Sequence, residues 1–415
     1  MSDPLSPGLS LCIVLSANQQ TGGGYHQSMS NLVRILETVP EGTSVSVLDA
    51  KRSFTEGLNG LITNGKLDRS QVIELPSSLP SFADKVVADN RLLYRFARAI
   101  LSLDGREVKM SPLARYLDRS AFDLVFFASP APEAAELQVK PFIWTLWDLC
   151  HLDSPEFPEV RTWGKFEARE QFFSRALRKA ALVLADSQDL VEKAQLYYGV
   201  NSEKFVIIPF QAPNAVTMKT TDERHLPEPI RHLSGMYYFY PAQLWTHKNH
   251  ARIIEALHLV NSRGYDHHVV FVGKDHGAGG RLKKKVSDLN LEDRIHFLGY
   301  VEDQAISALY AHSIALIMAS YFGPTNLPPL EALTLGVPVI ASSIHSNQLG
   351  DSALYFNPDD AEELAKRLLS LSQKKTRISL VKSGAQHLEL IERAATTGLH
   401  DLSGALHNLT RRLVK

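Results

Sequence analysis

The sequence predicts an α/β protein built from two doubly wound parallel sheets, one in each of two domains that face each other across a cleft. Three observations carry this. Short apolar runs recur along the whole chain and alternate with longer amphipathic stretches, the pattern of strands buried on both faces and joined by helices. The alternation breaks between residues 211 and 231, in the polar, proline-bearing "QAPNAVTMKTTDERHLPEPIR", and then restarts. The length, 415 residues with 44% hydrophobic and 21% charged, exceeds what one hydrophobic core usually serves.

Taken in order, "LSLCIVLSAN" (9–18) is an apolar run ending in small polar residues, and "TGGGYHQSMSNLVRILETV" has helical spacing from Tyr25 onward. This is strand, glycine turn, helix. "TSVSVLDA" (43–50), "FDLVFFAS" (122–129), "PFIWTLWD" (141–148), "ALVLADS" (181–187) and "KFVIIPF" (204–210) continue the first sheet. The first domain is therefore expected over 1–210 and a linker over 211–232. After it come strand "GMYYFYPAQ", a helix from Asn249, strand "HHVVFVGK", a helix from Gly280, strand "RIHFLGYV", helix "DQAISALYAH", strand "IALIMAS", a short helix and strand "VPVIASS". The second domain is expected over 233–395, with a helical tail over 396–415 that crosses back to the first domain.

Lys plus Arg number 44 and Asp plus Glu 45, a net charge of −1, so no overall field draws in nucleic acid and any anion needs a local constellation. Cys12 and Cys150 fit neither a disulfide framework nor a paired metal motif, which points to a reducing compartment. "MSDPLSPGLSLCIVLSANQ" has no basic region and only a short apolar run, unlike a signal peptide or a spanning helix, so a cytoplasmic location is expected.

The most informative stretch is "YFGPTNLPPLEALTLGVPVIAS" (321–342). Thr325 or Asn326 can cap a helix of about two turns, Pro328 or Pro329 can open it where no N–H is needed, and Gly336 can close it left-handed. The positive end of such a helix lies at the carboxyl edge of the sheet, where it can bind an anion. Glu331 is read in the first turn, as a grip on a neighbouring diol or simply as a partner of the helix dipole. In "YPAQLWTHKNH" (240–250), Lys248 projects from a turn and Asn249 can cap the next helix, an arrangement suited to a diphosphate. The glycines of "QQTGGGYHQS" let backbone approach a phosphate or sugar from the opposite domain, and "FLGYV" (297–301) suits a flat base.

In these segments, and in "GDSALYFNPDDAEELA", the sequence resembles GT-B glycosyltransferases, specifically the retaining family four, also called glycosyl transferases group one. The resemblance implies two Rossmann-like domains and transfer of a sugar from a nucleotide diphosphate sugar to a sugar or lipid-linked hydroxyl acceptor, with retention and with neither metal nor cofactor. It implies that Lys248 holds the diphosphate and that Glu331, second glutamate of the family's Glu-x7-Glu motif, grips the ribose. It places Val301 at the base and Gly23 and Gly24 near the phosphates. The motif's first glutamate is replaced by Gly323, which leaves Thr325, Asn326 and Leu327 to meet the sugar and distal phosphate. Gln243 stands where the family often has a phosphate-binding arginine, and Trp147-Asp148 where it often has His-Asp, so that either Asp148 or His151 contacts the sugar.

Two rival readings remain on the same residues. A non-catalytic nucleotide-sugar-binding protein would account for Gly323 and Gln243. A dinucleotide oxidoreductase would use Gly22, Gly24 and Asp49, yet it has Gln27 at the third glycine position and leaves Lys248 and Glu331 without a role. Two basic, aromatic-bearing stretches, 90–103 and 161–181, read either as solvated amphipathic helices or as peripheral contacts with an anionic membrane.

Overall fold

The computed structural model describes residues 8–16, 23–75, 110–213, 222–323 and 325–414. Strands Ser10–Leu15 (β1), Ser44–Asp49 (β2), Val72–Ile73 (β3), Leu124–Phe127 (β4), Phe142–Thr145 (β5), Leu182–Ala185 (β6) and Phe205–Ile207 (β7) pair in parallel in the order β3-β2-β1-β4-β5-β6-β7. Strands Tyr237–Pro241 (β8), His268–Val272 (β9), Ile295–Phe297 (β10), Ala315–Met318 (β11), Val339–Ser342 (β12) and Ala353–Phe356 (β13) form a second parallel sheet in the order β10-β9-β8-β11-β12-β13. The central strands LVFF, LVLA and ALIM are buried at every residue, as parallel strands covered on both faces must be.

Chain order reverses between β1 and β4 in the first sheet and between β8 and β11 in the second. At such switch points the segments leaving the strand ends diverge and open a crevice. The elements leaving β1, β8 and β11 are, respectively, helix α1 (Gly23–Thr38), the turn bearing Lys248, and the loop into the helix Leu327–Thr334. Topology alone therefore collects the candidate residues at two strand edges.

The stretch 211–232 is not all linker. Prolines and short 3-10 turns hide its spacing from a helical or strand reading, yet Leu226 and Ile230 are buried in the core beneath β8 with Leu233 and Tyr237. Nor does the chain divide at 395/396: Lys374–Leu413 is one continuous helix of 40 residues, roughly 60 Å long. Its first half packs Leu380 into the second core, and Ala395, Leu402 and Leu406 join Leu11, Ile13 and Ile35 in the first. Among the described residues, no helix is long and apolar enough to cross a membrane.

Two glycines of this crossing helix behave oppositely. A Cβ on Gly398 would lie 2.2 Å from the Ile207 carbonyl oxygen, whereas one on Gly404 would meet nothing within 4 Å. Gly398→Ala is expected to destabilise the protein by about 1–3 kcal/mol through overpacking. Gly404→Ala is expected to stabilise it by up to ~1 kcal/mol through helix propensity. Equilibrium denaturation of the two variants checks both signs.

Candidate functional site

The helix Leu327–Thr334 begins one residue earlier than its prolines imply. Leu327 takes the first helical position, and Pro328 and Pro329 follow. Two of the first-turn N–H groups are thereby deleted, so the positive end rests on the Leu327 amide, the helix dipole and whatever cation stands beside it. Asn326 occupies the capping position in extended backbone, φ −142° and ψ 152°, but its side chain does not cap. Its Nδ2 donates to the Gly323 carbonyl, and its Oδ1 accepts from Lys248 Nζ at 3.4 Å. Gln348 fixes the backbone: Asn326 N donates to Gln348 Oε1 at 3.0 Å, and Gln348 Nε2 donates to the Asn326 carbonyl at 2.7 Å. At the other end Gly336, with φ 69°, closes the helix, and Val337 N donates back to the Ala332 carbonyl at 2.8 Å.

Glu331 is not in the first turn but in the second, the fifth helical position. Its buried carboxylate accepts from the Tyr310 hydroxyl at 2.7 Å, and the same hydroxyl lies 3.2 Å from the Pro328 carbonyl. Burial and the neighbouring carboxylate push the Tyr310 phenol well above its ordinary range, so Tyr310 remains a donor that orients Glu331.

Lys248 ends the 3-10 turn Thr246–Lys248 after β8. Burial lowers its ammonium to about 8, against the opposing pull of Cys150 and Asp148. Asn249 departs from the capping expected of it: it is left-handed, φ 56°, and its Nδ2 donates to the Pro358 carbonyl at 2.9 Å. Gln243, where the family often has an arginine, accepts from Trp245 Nε1 on its Oε1 at 2.8 Å, which fixes its amide. Val301 follows β10 and packs, half-buried, against the second core.

The first domain supplies the facing wall. A Cβ on Gly23, the first residue of α1, would lie 3.6 Å from Leu327 Cδ1, so the N-termini of two helices meet across the cleft. Gly24 lies one residue inside α1, its carbonyl accepting from Ser28 Oγ at 2.8 Å. Asp148, after β5, accepts from the Cys150 amide at 2.9 Å and from Arg169 Nη2. The Arg169 charge and these bonds outweigh burial and hold its carboxyl below the usual range. His151 is a correction. It is 0% exposed, between Phe166 and Phe173, with Nε2 3.2 Å from Glu170 Oε2 and 3.3 Å from the Tyr198 hydroxyl. Three residues after Asp148, a short helical turn carries it into the interior, whereas Asp148 stays half-buried and close enough to act on the Lys248 charge.

Several contacts across the cleft carried no signal in the spacing. Thr325 Oγ1 donates to Asp186 Oδ2 at the end of β6. Glu159 Oε1 accepts from the His247 amide at 3.1 Å and lies 3.2 Å from His247 Nδ1. The His247 ring stacks on Phe322 at 3.9 Å, and Phe157 of the first domain packs on Tyr321 and Phe322. Asp186 stands in "LADS", whose apolar pattern marks the strand and gives no sign of the contact.

The rival features find other uses. Asp49 spends its carboxylate on the Ser53 and Phe54 amides at 3.1 and 2.7 Å, a turn cap rather than a ribose ligand. In 161–181, Phe173 packs on Trp144 and His151 while Phe166 and Phe172 are half-buried, which leaves Trp163 as the exposed aromatic. Residues 90–103 lie outside the described residues. Among the described residues, no three His, Cys, Asp or Glu side chains are grouped to hold a metal ion.

Anabaena Alr3699/HepE, solved in complex with UDP and glucose, superposes with a TM-score of 0.64 at 16% identity, covering 96% of this chain and 99% of that one. The fold is GT-B. Within it, residues 230–387 match the family described as Glycosyl transferases group 1. The chain is 28% identical over 206 residues to the O-antigen chain mannosyltransferase RfbU of Salmonella typhimurium, covering 49% of this chain and 54% of that protein. It is 34% identical over 84 residues to the O-antigen chain mannosyltransferase B of Escherichia coli, covering 20% and 22%. The chain thus matches about half the length of the first relative and less of the second.

The Gln348 clamp on Asn326 is the local feature most open to test. Gln348→Ala would leave a half-buried amide and carbonyl without their partner and is expected to cost about 1–3 kcal/mol in chemical denaturation.

Proposed function

We propose that the protein is a retaining glycosyltransferase that moves a sugar from a nucleoside diphosphate sugar to a hydroxyl of a growing glycan, without a metal ion. The observation that most supports this is the convergence of two helix N-termini, at Gly23 and Leu327, with the Lys248 ammonium beside Asn326. Two positive dipole ends and a cation at one place suit a diphosphate. The relatives named for O-antigen mannosyl transfer and the UDP complex of HepE agree with that class.

In this reading Lys248, the Leu327 amide and the dipole behind it take up the charge that grows on the leaving diphosphate as the anomeric carbon becomes oxocarbenium-like. The acceptor hydroxyl attacks from the same face, the bond from the anomeric carbon to the diphosphate oxygen breaks, and the proton passes to that oxygen. Glu331, oriented by Tyr310, grips the ribose diol, and Val301 abuts the base. Gly23, Gly24, Thr325, Asn326 and Leu327 line the phosphates and the sugar. Asp148 stands on the acceptor side near Lys248.

The deciding experiment is a thermal-shift and hydrolysis panel of UDP, GDP, ADP and their sugars, with EDTA present. One nucleoside diphosphate is expected to stabilise the chain and its sugar to turn over slowly. Binding with no turnover of any sugar nucleotide would favour the non-catalytic reading. Lys248→Ala is expected to lower turnover by roughly two to three orders of magnitude, the worth of one buried charge-assisted donor of about 2–4 kcal/mol.

The pH dependence has a definite sign. Burial lowers Lys248 to about 8, so the free protein loses this cation as pH rises through that value. Affinity for a nucleoside diphosphate is therefore expected to be full below about 8 and to fall above it, by up to tenfold per pH unit. Calorimetric titration should find that decline in the wild type and a flat profile in Lys248→Arg, whose guanidinium stays charged.

A further inference from the structure

The loop that follows β11 has an uncommon make-up for a surface that must recognise a polyhydroxylated ligand. Gly323 has no side chain and holds φ 81°, a backbone that side-chain-bearing residues rarely adopt, so a carboxylate does not fit there without rebuilding the turn. Thr325 and Asn326 bring a hydroxyl and an amide. The carboxylate that meets this loop comes from the opposite domain, and it is Asp186.

Asp186 stands just past β6, at the same carboxyl edge of the first sheet as Gly23 and Asp148. It is 5% exposed, and each of its oxygens has a hydroxyl partner: Oδ2 accepts from Thr325, and Oδ1 accepts from Ser187 Oγ at 3.1 Å. Ser187 is itself held in place as the cap of the helix Gln188–Tyr198. Asp186 also lines a small cavity inside the first domain, where Asn31, Arg34 and Thr145 stand among apolar neighbours such as Leu184 and Ile208. Thr325 is the chain neighbour of Asn326, whose side chain Lys248 touches, so the Asp186 carboxylate lies one residue along the loop from the ammonium assigned to the diphosphate. In a nucleoside diphosphate sugar, the sugar is what lies next beyond the distal phosphate.

We propose that Asp186 is a donor-specificity residue, the carboxylate that accepts a hydroxyl of the transferred sugar, supplied by the acceptor-side domain. The inference rests on the glycosyltransferase reading above. A carboxylate that already takes hydroxyl hydrogens on both oxygens offers a sugar hydroxyl the same bond in exchange for the Thr325 hydroxyl, with no new charge to bury. The choice among sugars then depends on which hydroxyl the cleft brings within reach of Asp186. Burial supports the assignment: it pushes the carboxyl up to about 7, opposed by the Thr325 and Ser187 bonds, while Asp148 raises it and Arg34 of α1 faces it with opposite charge. The ionised acceptor is present above about 7 and is lost as pH falls through that value.

Kinetics of the full chain with the sugar nucleotide that the wild type hydrolyses in the UDP, GDP and ADP panel, with the bare nucleoside diphosphate as binding control, test this. Asp186→Asn should keep its melting temperature and bind the bare nucleoside diphosphate within about twofold of wild type, yet lose roughly tenfold or more in kcat/KM for the sugar nucleotide. The acidic limb near pH 7 should be present in the wild type and in Thr325→Val, which retains the carboxylate, and absent in Asp186→Asn. An Asp186→Asn enzyme with unchanged kcat/KM and an intact acidic limb would overturn the proposal. Equal losses in Asp186→Asn and Thr325→Val with the limb present in both would also overturn it, leaving the pair as a pin between domains. A wild type that no nucleoside diphosphate stabilises would instead overturn the underlying reading of the cleft.

Discussion

The short helix Leu327–Thr334 cannot hold its own first turn, and the cleft is organised around how the rest of the chain does so. Two prolines remove first-turn amides, and the capping residue turns its side chain away. What fixes this end is external: Gln348 on the Asn326 backbone, Lys248 on its side chain, and Asp186 of the other domain on Thr325. Each of these comes from a different strand end, after β12, β8 and β6. The helix end is thus positioned only when both sheets are folded and adjacent, and the 40-residue helix that packs into both cores ties them together.

The charges in the cleft follow one logic. Asp186 is buried and Lys248 and Asp148 are half-buried, which disfavours their ionised forms, and the shifts differ with the partners available. Asp148 has Arg169 against it and stays a strong anion. Asp186 has hydroxyl partners and sits near neutrality. Lys248 is left as a cation whose neighbours only partly offset its burial, and an arriving anion would relieve that cost. A cation that gains its best partner only from the ligand favours the liganded state over the empty one.

Much of this was legible in the sequence. The fully apolar runs gave away the parallel strands, and the order of strand, turn and helix placed Lys248, Gly23 and the 327–334 helix at strand ends. Gly336 closed its helix as its position implied. What spacing could not convey was side-chain direction and contact across domains. The bonds of Gln243 to Trp245 and of Asn249 to the Pro358 carbonyl had no signature in the spacing. His151 is only three residues from Asp148, yet a single short turn sends it inward. Asp186 and Glu159 meet partners 139 and 88 residues away, and no local pattern encodes such a pairing. Leu226 and Ile230 were hidden because 3-10 turns and prolines give apolar residues no regular period.

In the proposed site a diphosphate binds between the N-termini of α1 and the 327–334 helix, against Lys248. The decisive measurement is a crystal structure with the stabilising nucleoside diphosphate bound. Phosphate oxygens are expected within hydrogen-bond reach of Lys248 Nζ and of the Leu327 amide, with the ribose diol at Glu331. A diphosphate seated outside these two helix ends, or one that leaves Lys248 on Asn326, would contradict it.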